Sequence, residues 1–447
     1  GIEILEEVIK QLKEQEEELR KNLDKLNSIK ESYKSYKERF ENCDINNQIE
    51  EWYLLDIIDE DFNVDEILKE NTLNDKYQFL PIDTKYFKGI KEKIESIFNV
   101  YDVDGDLDGR LIKSENWQAL NTILPRFKEK IQTIYIDPPF NTGKDFDYLD
   151  NFRDSSWLTL MENRLSLSKQ FLRSDGSLYL HLDSNADFLG QTLINLIFGK
   201  DNFRVKITWK RHTGPKVQSL HFPNISDYIL VYSKSDKWVY NPQYLPYRDE
   251  YMKTTYKYKD DRGLYRIHDL YAPGQGGPRY FGNKLIDPPK GHHWSYSQEK
   301  IDEMLKEGII FFDKNGFPKM KVYAGEGVQA TNIWTDINVI QGSSKEYQNF
   351  QTQKPEKLLK RIINASSLKG DIILDFFLGS GTTTAVAHKL GRKWIGIEMG
   401  EHFYTVVLPR MKKVLAYDNS GISEDRDVKE EYNEKNAGGF FKYYELE

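Results

Sequence analysis

Ile131-Gln132-Thr133-Ile134-Tyr135-Ile136-Asp137-Pro138-Pro139-Phe140 is the stretch from which the fold is read. Its first six residues are mostly apolar or β-branched and stop at a proline pair, the pattern of a buried strand. Asp137 therefore stands just past a strand end, and in an open parallel sheet that edge is where ligands bind. The two prolines fix the backbone and remove two N–H donors, so the loop offers a carboxylate and carbonyl oxygens. Acceptors without donors suit an exocyclic amine. Asp137 and the Pro138 carbonyl would each accept one hydrogen, aligning the nitrogen lone pair for attack. Phe140 would stack on the base, which must be flipped because its amine is paired in a duplex. The same tetrapeptide is also an ordinary turn. Asp287-Pro288-Pro289-Lys290 lacks the aromatic residue and ends no convincing strand, so it is read as a turn.

Working outward, residues 177–182, 228–232, 372–375 and 394–398 also read as strands, with amphipathic helices over 157–172 and 355–367 between them. Alternating strands and helices predict a mostly parallel α/β sheet covered on both faces. The strand at 372–375 opens a second motif, Asp375-Phe376-Phe377-Leu378-Gly379-Ser380-Gly381-Thr382-Thr383. Glycines at a strand-to-helix turn let backbone approach a ligand, and the following helix N-terminus favours a carboxylate. A packing turn gives the same letters. A phosphate loop is disfavoured, because the Gly-Lys-Ser/Thr ending and the third glycine of a dinucleotide fingerprint are both missing. About twenty residues on, a strand ends at Glu398, where an acid can accept a ribose hydroxyl. Gly turn plus spaced acid predicts an adenosine site.

The chain has 447 residues and a net charge of −8, which alone argues against nucleic acid. The charge is uneven. Residues 1–70 hold 10 Lys+Arg against 21 Asp+Glu (−11), and residues 204–300 hold 17 against 9 (+8). The basic segment also carries twelve tyrosines with Trp209, Trp238 and Trp294, which suits phosphate contact and base stacking. A solvated face over a Tyr-rich core is the other reading. Leu5, Leu12, Leu19, Leu26, Tyr33 and Phe40 recur at intervals of seven, predicting a helical arm over 1–40 that either dimerises or packs on its own protein. Asp104-x-Asp106-x-Asp108-Gly109…Glu115 fits a calcium loop by letter, but a strand at Leu111-Ile112 competes for the span, and no metal is expected. His292-His293 has no partner cluster. One cysteine, Cys43, fits a reducing cytoplasm. The start has no secretory pattern, and no apolar run is long enough for a membrane span.

With both motifs at strand ends, the sequence resembles the β-class amino-group DNA methyltransferases, in which the Asp-Pro-Pro-aromatic block precedes a target-recognition insert and the cofactor block comes last. Asp154-Ser155-Ser156-Trp157, Asn332-Ile333-Trp334-Thr335-Asp336 and Gln353-Lys354-Pro355 also resemble that family's segments. The resemblance implies a Rossmann-like S-adenosylmethionine-dependent sheet. It divides the chain into the arm 1–40, an unassigned region 41–110, a catalytic half 111–240, the insert 241–335, a cofactor half 336–417 and a tail 418–447. It implies Asp137, Pro138, Pro139 and Phe140 as catalytic residues. Asp375, Phe376, Gly379, Ser380, Gly381, Thr382, Glu398, Lys354, Asp154 and Trp157 would hold the methyl donor. The basic residues Lys206, Lys210, Arg211, Lys216 and Arg279 are the candidate contacts to double-stranded DNA. Asp rather than Ser at 137 is similar to the adenine-N6 enzymes, with cytosine-N4 methylation or a non-catalytic DNA-binding subunit as alternatives. The chain looks most like type III modification subunits, which implies a homodimer and a nuclease/helicase restriction subunit as partner. Phe140 stands where tyrosine is commoner.

Overall fold

The computed structural model describes residues 8–12, 43–69, 72–91, 105, 107–140, 152–211 and 222–446. At its centre is a nine-stranded sheet. In chain order the strands are β1 (Gly109–Lys113), β2 (Ile131–Ile136), β3 (Leu172–Leu182), β4 (Phe203–Lys210), β5 (Ser226–Ser233), β6 (Ile333–Trp334), β7 (Ile372–Asp375), β8 (Lys393–Glu398) and β9 (Phe441–Glu445). Across the sheet they lie in the order β6-β4-β5-β3-β2-β7-β8-β1-β9. Neighbours are parallel, except that β5 runs antiparallel to both β3 and β4.

All six residues of β2 are buried, as expected of a strand covered on both faces. The covers are helices: α2 (Asn116–Phe127), α3 (Asp154–Phe171), α4 (Asp187–Phe198), α5 (Glu356–Ser366), α6 (Thr382–Lys389) and α7 (Leu408–Leu415), while α1 (Ile45–Leu54) precedes them in region 41–110. One core joins Ala119 and Leu120 of α2, Trp157, Met161 and Leu165 of α3, and Leu193 and Ile194 of α4 to the sheet. The other joins Leu358, Leu359, Ile362 and Ile363 of α5 to Val386 of α6 and Met411 of α7. In α5 those four residues recur at helical spacing, and truncating one of them to alanine would cost about 3 kcal/mol. From β2 the strands run outward one way and from β7 the other. The order reverses between these two neighbours, which opens a crevice beyond their C-terminal ends.

Four sequence expectations change. The segment 418–447 is no free tail, because β9 pairs in parallel with β1 along its whole length. The sheet already includes Gly109, two residues before the expected boundary. Glycine is needed there, since a Cβ would lie 2.1 Å from the Trp394 ring. Region 41–110 builds a small core of Trp52, Ile67, Leu68, Tyr77 and Leu80. Lys412 of α7 ties that core to the main body by bonding Asp83 at 2.7 Å and Glu51 at 2.6 Å. Trp209 and Trp294, read as possible stacking groups, are buried side chains that donate to the carbonyls of Ile337 and Ile286. The seven-residue repeat of 1–40 lies outside the described residues apart from 8–12, as do Asp104 and Asp106 of the calcium-like run. The rest of that run is committed elsewhere. Asp108 accepts the Phe440 N–H, and Glu115 caps α2 through the Gln118 N–H.

Residues 242–330 form a separate compact unit, close to the expected insert. It holds a four-stranded antiparallel sheet (Ile310–Phe312, Pro318–Tyr323, Gly263–His268, Tyr258–Asp260), short hairpins and the helix Gln298–Lys306 around Leu270, Phe281, Trp294 and Ile301. Among the described residues, no helix is long and apolar enough to cross a membrane.

Candidate active site

β2 and β7 each end at an aspartate on the edge of the crevice. Asp137 follows Ile136 directly, and Asp375 is the last residue of β7. Both border a cavity of about 420 Å³, with Tyr135, Pro139, Lys354, Phe350, Gly379 and Glu398 among its other walls. A volume of that order suits a cofactor-sized ligand.

Asp137 is held from one side only. Its Oδ2 pairs with Lys354 Nζ, while Oδ1 is buried and has no partner among the described residues. Positions 138 and 139 are prolines and so contribute no N–H to quench Oδ1. The Pro139 carbonyl is already taken, since Trp157 Nε1 donates to it at 2.7 Å. Trp157 is thus a buttress under the loop and does not border the cavity; Asp154 stands exposed at the start of α3, also outside the cavity wall. Phe140 stacks on His181 (centroids 6.0 Å apart, 28° between planes), and Lys354 Nζ lies 5.3 Å from its ring centre. Lys354 was expected on the cofactor. It borders the cavity, but its ammonium rests on Asp137.

The glycine turn is built as a rigid cradle. Gly379 (φ 54°) and Gly381 (φ 79°) adopt the left-handed conformation that favours glycine, and Gly381 caps α6. Asp375 stitches the turn from inside. Its Oδ1 accepts the Phe377 N–H at 3.0 Å and its Oδ2 accepts the Thr383 hydroxyl at 2.6 Å. Burial raises its pKa, opposed by the Thr383 and Phe377 bonds and reinforced by the charges of Asp137 and Glu398, to about 7. Phe376 is buried, and its carbonyl accepts from Asn116 at 2.9 Å. Thr382 Oγ1 approaches Ser380 Oγ at 3.1 Å, accepts from Arg410 at 2.9 Å and donates to the Lys354 carbonyl at 3.2 Å.

Glu398 does more than await a ribose. Its Oε2 accepts the Gly379 N–H at 2.8 Å, and its Oε1 accepts those of Met399 and Gly400, both at 2.9 Å. Three of roughly four acceptor sites are spent on backbone, leaving about one for a ligand hydroxyl. Burial opposes its ionisation, but His402 and the Gly400 and Gly379 donors outweigh it and hold the carboxyl below its usual range.

Several cavity residues were not named as site residues from the sequence, although Arg164 falls in Met161-Glu162-Asn163-Arg164-Leu165, a segment that resembles the family's pocket lining. Asn116 and Arg164 bond each other at 2.5 Å, and Arg164 also pairs with Glu115. Phe350 and His402 form a wall 5.0 Å apart between ring centres. His402 stands four residues after Glu398, with its Nε2 3.3 Å from the carboxylate. Of the candidate DNA contacts, Lys206 pairs with Asp187, and Arg211 lies 3.4 Å from buried Asp227. Lys210 ends β4, Arg279 is exposed in the 242–330 unit, and Lys216 lies outside the described residues. Among the described residues, no cluster of His, Cys, Asp or Glu is grouped to hold a metal.

The site fits a methyl donor. It joins a glycine cradle, a nearly saturated acid beside it, apolar walls from Phe350 and Phe377, and an acceptor oxygen on Asp137 that has no partner among the described residues.

A family model described as DNA methylase matches residues 131–408. The chain is 33% identical over 304 residues to the type II methyltransferase M.EcaI of Enterobacter cloacae, covering 65% of this chain and 67% of that one. It is 28% identical over 318 residues to the type III restriction-modification enzyme StyLTI Mod subunit of Salmonella typhimurium, covering 61% of this chain and 48% of that one. It is 27% identical over 298 residues to the DNA adenine methyltransferase YhdJ of Escherichia coli, covering 66% and 81%. The chain thus spans about half the length of that type III subunit. With its two strand-end motifs inside the matched span, the chain belongs to the N6/N4 DNA methylase family.

Proposed function

We propose that the chain transfers a methyl group from S-adenosylmethionine to the N6 amine of a flipped adenine in double-stranded DNA, within a restriction–modification system. The Oδ1 of Asp137, unpartnered among the described residues, carries this reading, because a buried acceptor at a strand end is matched by an N–H from the substrate. The donor, when bound, supplies an already activated methyl group. Asp137 and the Pro138 carbonyl orient the amine and offset positive charge developing on its nitrogen. Lys354 fixes the Asp137 rotamer, and Trp157 fixes the loop from below. Aspartate at 137 and the likeness to an adenine methyltransferase favour adenine over cytosine. The likeness to a type III restriction-modification Mod subunit supports a restriction partner, the seven-residue repeat of 1–40 supports a homodimer, and the lone cysteine fits a reducing compartment.

Incubating the purified chain with DNA and methyl-labelled donor, then resolving the nucleosides, tests the reaction. N6-methyladenine is expected. N4-methylcytosine would overturn the base assignment, and label in protein but not DNA would overturn the substrate. Sedimentation as a monomer would sink the dimer.

A further inference from the structure

Beneath the reactive loop runs a buried polar chain that the methyl-transfer reading does not use. The Tyr135 hydroxyl lies 2.8 Å from His181 Nδ1, and His181 Nε2 lies 3.3 Å from Asp227 Oδ2. All three side chains are buried, on neighbouring strands β2, β3 and β5. The His181 ring stacks on Phe140 and meets Trp209 at right angles with centroids 5.7 Å apart. Burial opposes the charge on Asp227, but His181, Lys354 and Arg211 outweigh it and hold the carboxyl below its usual range. As a carboxylate Asp227 only accepts, which places a proton on His181 Nε2. With its single proton on Nε2 the ring offers Nδ1 as an acceptor, 2.8 Å from the Tyr135 hydroxyl, which then donates to it. Burial, with the charges of Asp137, Asp375 and Asp227, pushes the phenol well above its usual range, so this proton stays on Tyr135.

We infer that Asp227 and His181 are positioning residues that lock the Tyr135 hydroxyl inward, so that its oxygen presents only lone pairs to the cavity beside Asp137 as a further acceptor for positive charge on the attacking nitrogen. The inference rests on the amine-methylation reading. Asp227→Asn would reverse the chain's polarity. The ring proton would move to Nδ1, and Tyr135 would turn its hydrogen toward the cavity.

The test has two parts. In the cofactor-free protein, ring ¹⁵N NMR identifies the His181 tautomer, with His181→Asn assigning the resonance. Nε2–H alone is expected in the native chain and Nδ1–H in Asp227→Asn; Nδ1–H in the native chain would overturn the inference. Kinetically, Tyr135→Phe and Asp227→Asn should each lower kcat about tenfold with little change in KM, and the double variant should fall no further than Tyr135→Phe. Multiplying losses would sink the inference, as would losses that merely track a lower Tm. If the native chain methylates no adenine, the functional reading has failed, while the tautomer result stands by itself.

Discussion

Asp137 and Asp375 end adjacent parallel strands of one sheet, on the same edge, in the same cavity, yet the chain gives them opposite environments. Asp375 has both oxygens filled, one by the N–H two residues on (Phe377) and one by Thr383. Asp137 has the equivalent turn bond denied to it, because the residue two on is Pro139. Strand topology supplies the location. The two residues after the strand decide whether the carboxylate becomes an internal brace or a free acceptor.

Removing the free acceptor should have the largest effect. Asp137→Ala is expected to lower kcat by about a thousandfold, in the range seen when a preorganised charge partner is deleted, while leaving DNA binding intact. A gel-shift with unchanged affinity beside a dead methylation assay would show it, and surviving methylation would break the contrast. At Asp375 the raised pKa of about 7 gives the expected sign. The protonated form is favoured in the folded chain, so its contribution is full below about pH 4 and is lost as pH rises through 7. Asp375→Asn is neutral throughout and should flatten that decline, by at most a few kcal/mol, in urea melts from pH 4 to 8. A parallel decline in both proteins would contradict the assigned environment. Pro139→Ala would restore an N–H where Asp375 has one, letting Asp137 cap itself. The expected cost is about tenfold in kcat with little loss of stability, the size of one net hydrogen bond. Unchanged turnover would mean that the missing donor is not what keeps Oδ1 free.

Both strand ends were legible because each is an apolar run stopped by an aspartate and a change of backbone type; β2 and β7 have the bounds read from the letters. The sheet edge was not. β9 is Phe-Lys-Tyr-Tyr-Glu, with no apolar run, and its pairing with β1 arises between segments more than 300 residues apart. Charge counting could not separate free lysines from paired ones. Lys206 and Lys234 raise the basic count but rest on Asp187 and Glu129. Lys354 was read as a cofactor contact, yet its ammonium lies on an aspartate 217 positions away, a relation only the sheet order creates. His181 and Asp227 left no pattern, because their partners are set by register between strands, whereas Arg164 was legible only through the likeness of residues 161–165 to the family's pocket-lining segment. His181 is buried in β3 among residues whose burial alone accounts for them.

Trp157 shows the same limit at the smallest scale. Its sequence neighbourhood pointed to the cofactor wall, but Trp157 is absent from that wall and its indole N–H is spent on the Pro139 carbonyl. If that bond only braces the loop, Trp157→Phe keeps the aromatic filling of the core and removes a single donor, so stability should fall by about 1 kcal/mol. Turnover should drop a fewfold, because a loosened loop spreads Asp137 over more orientations than the one that meets the amine. Affinity for the methyl donor, measured by calorimetry without DNA, should not change. A weakened donor affinity would return Trp157 to the cofactor wall and leave the contrast between the two strand ends without its brace.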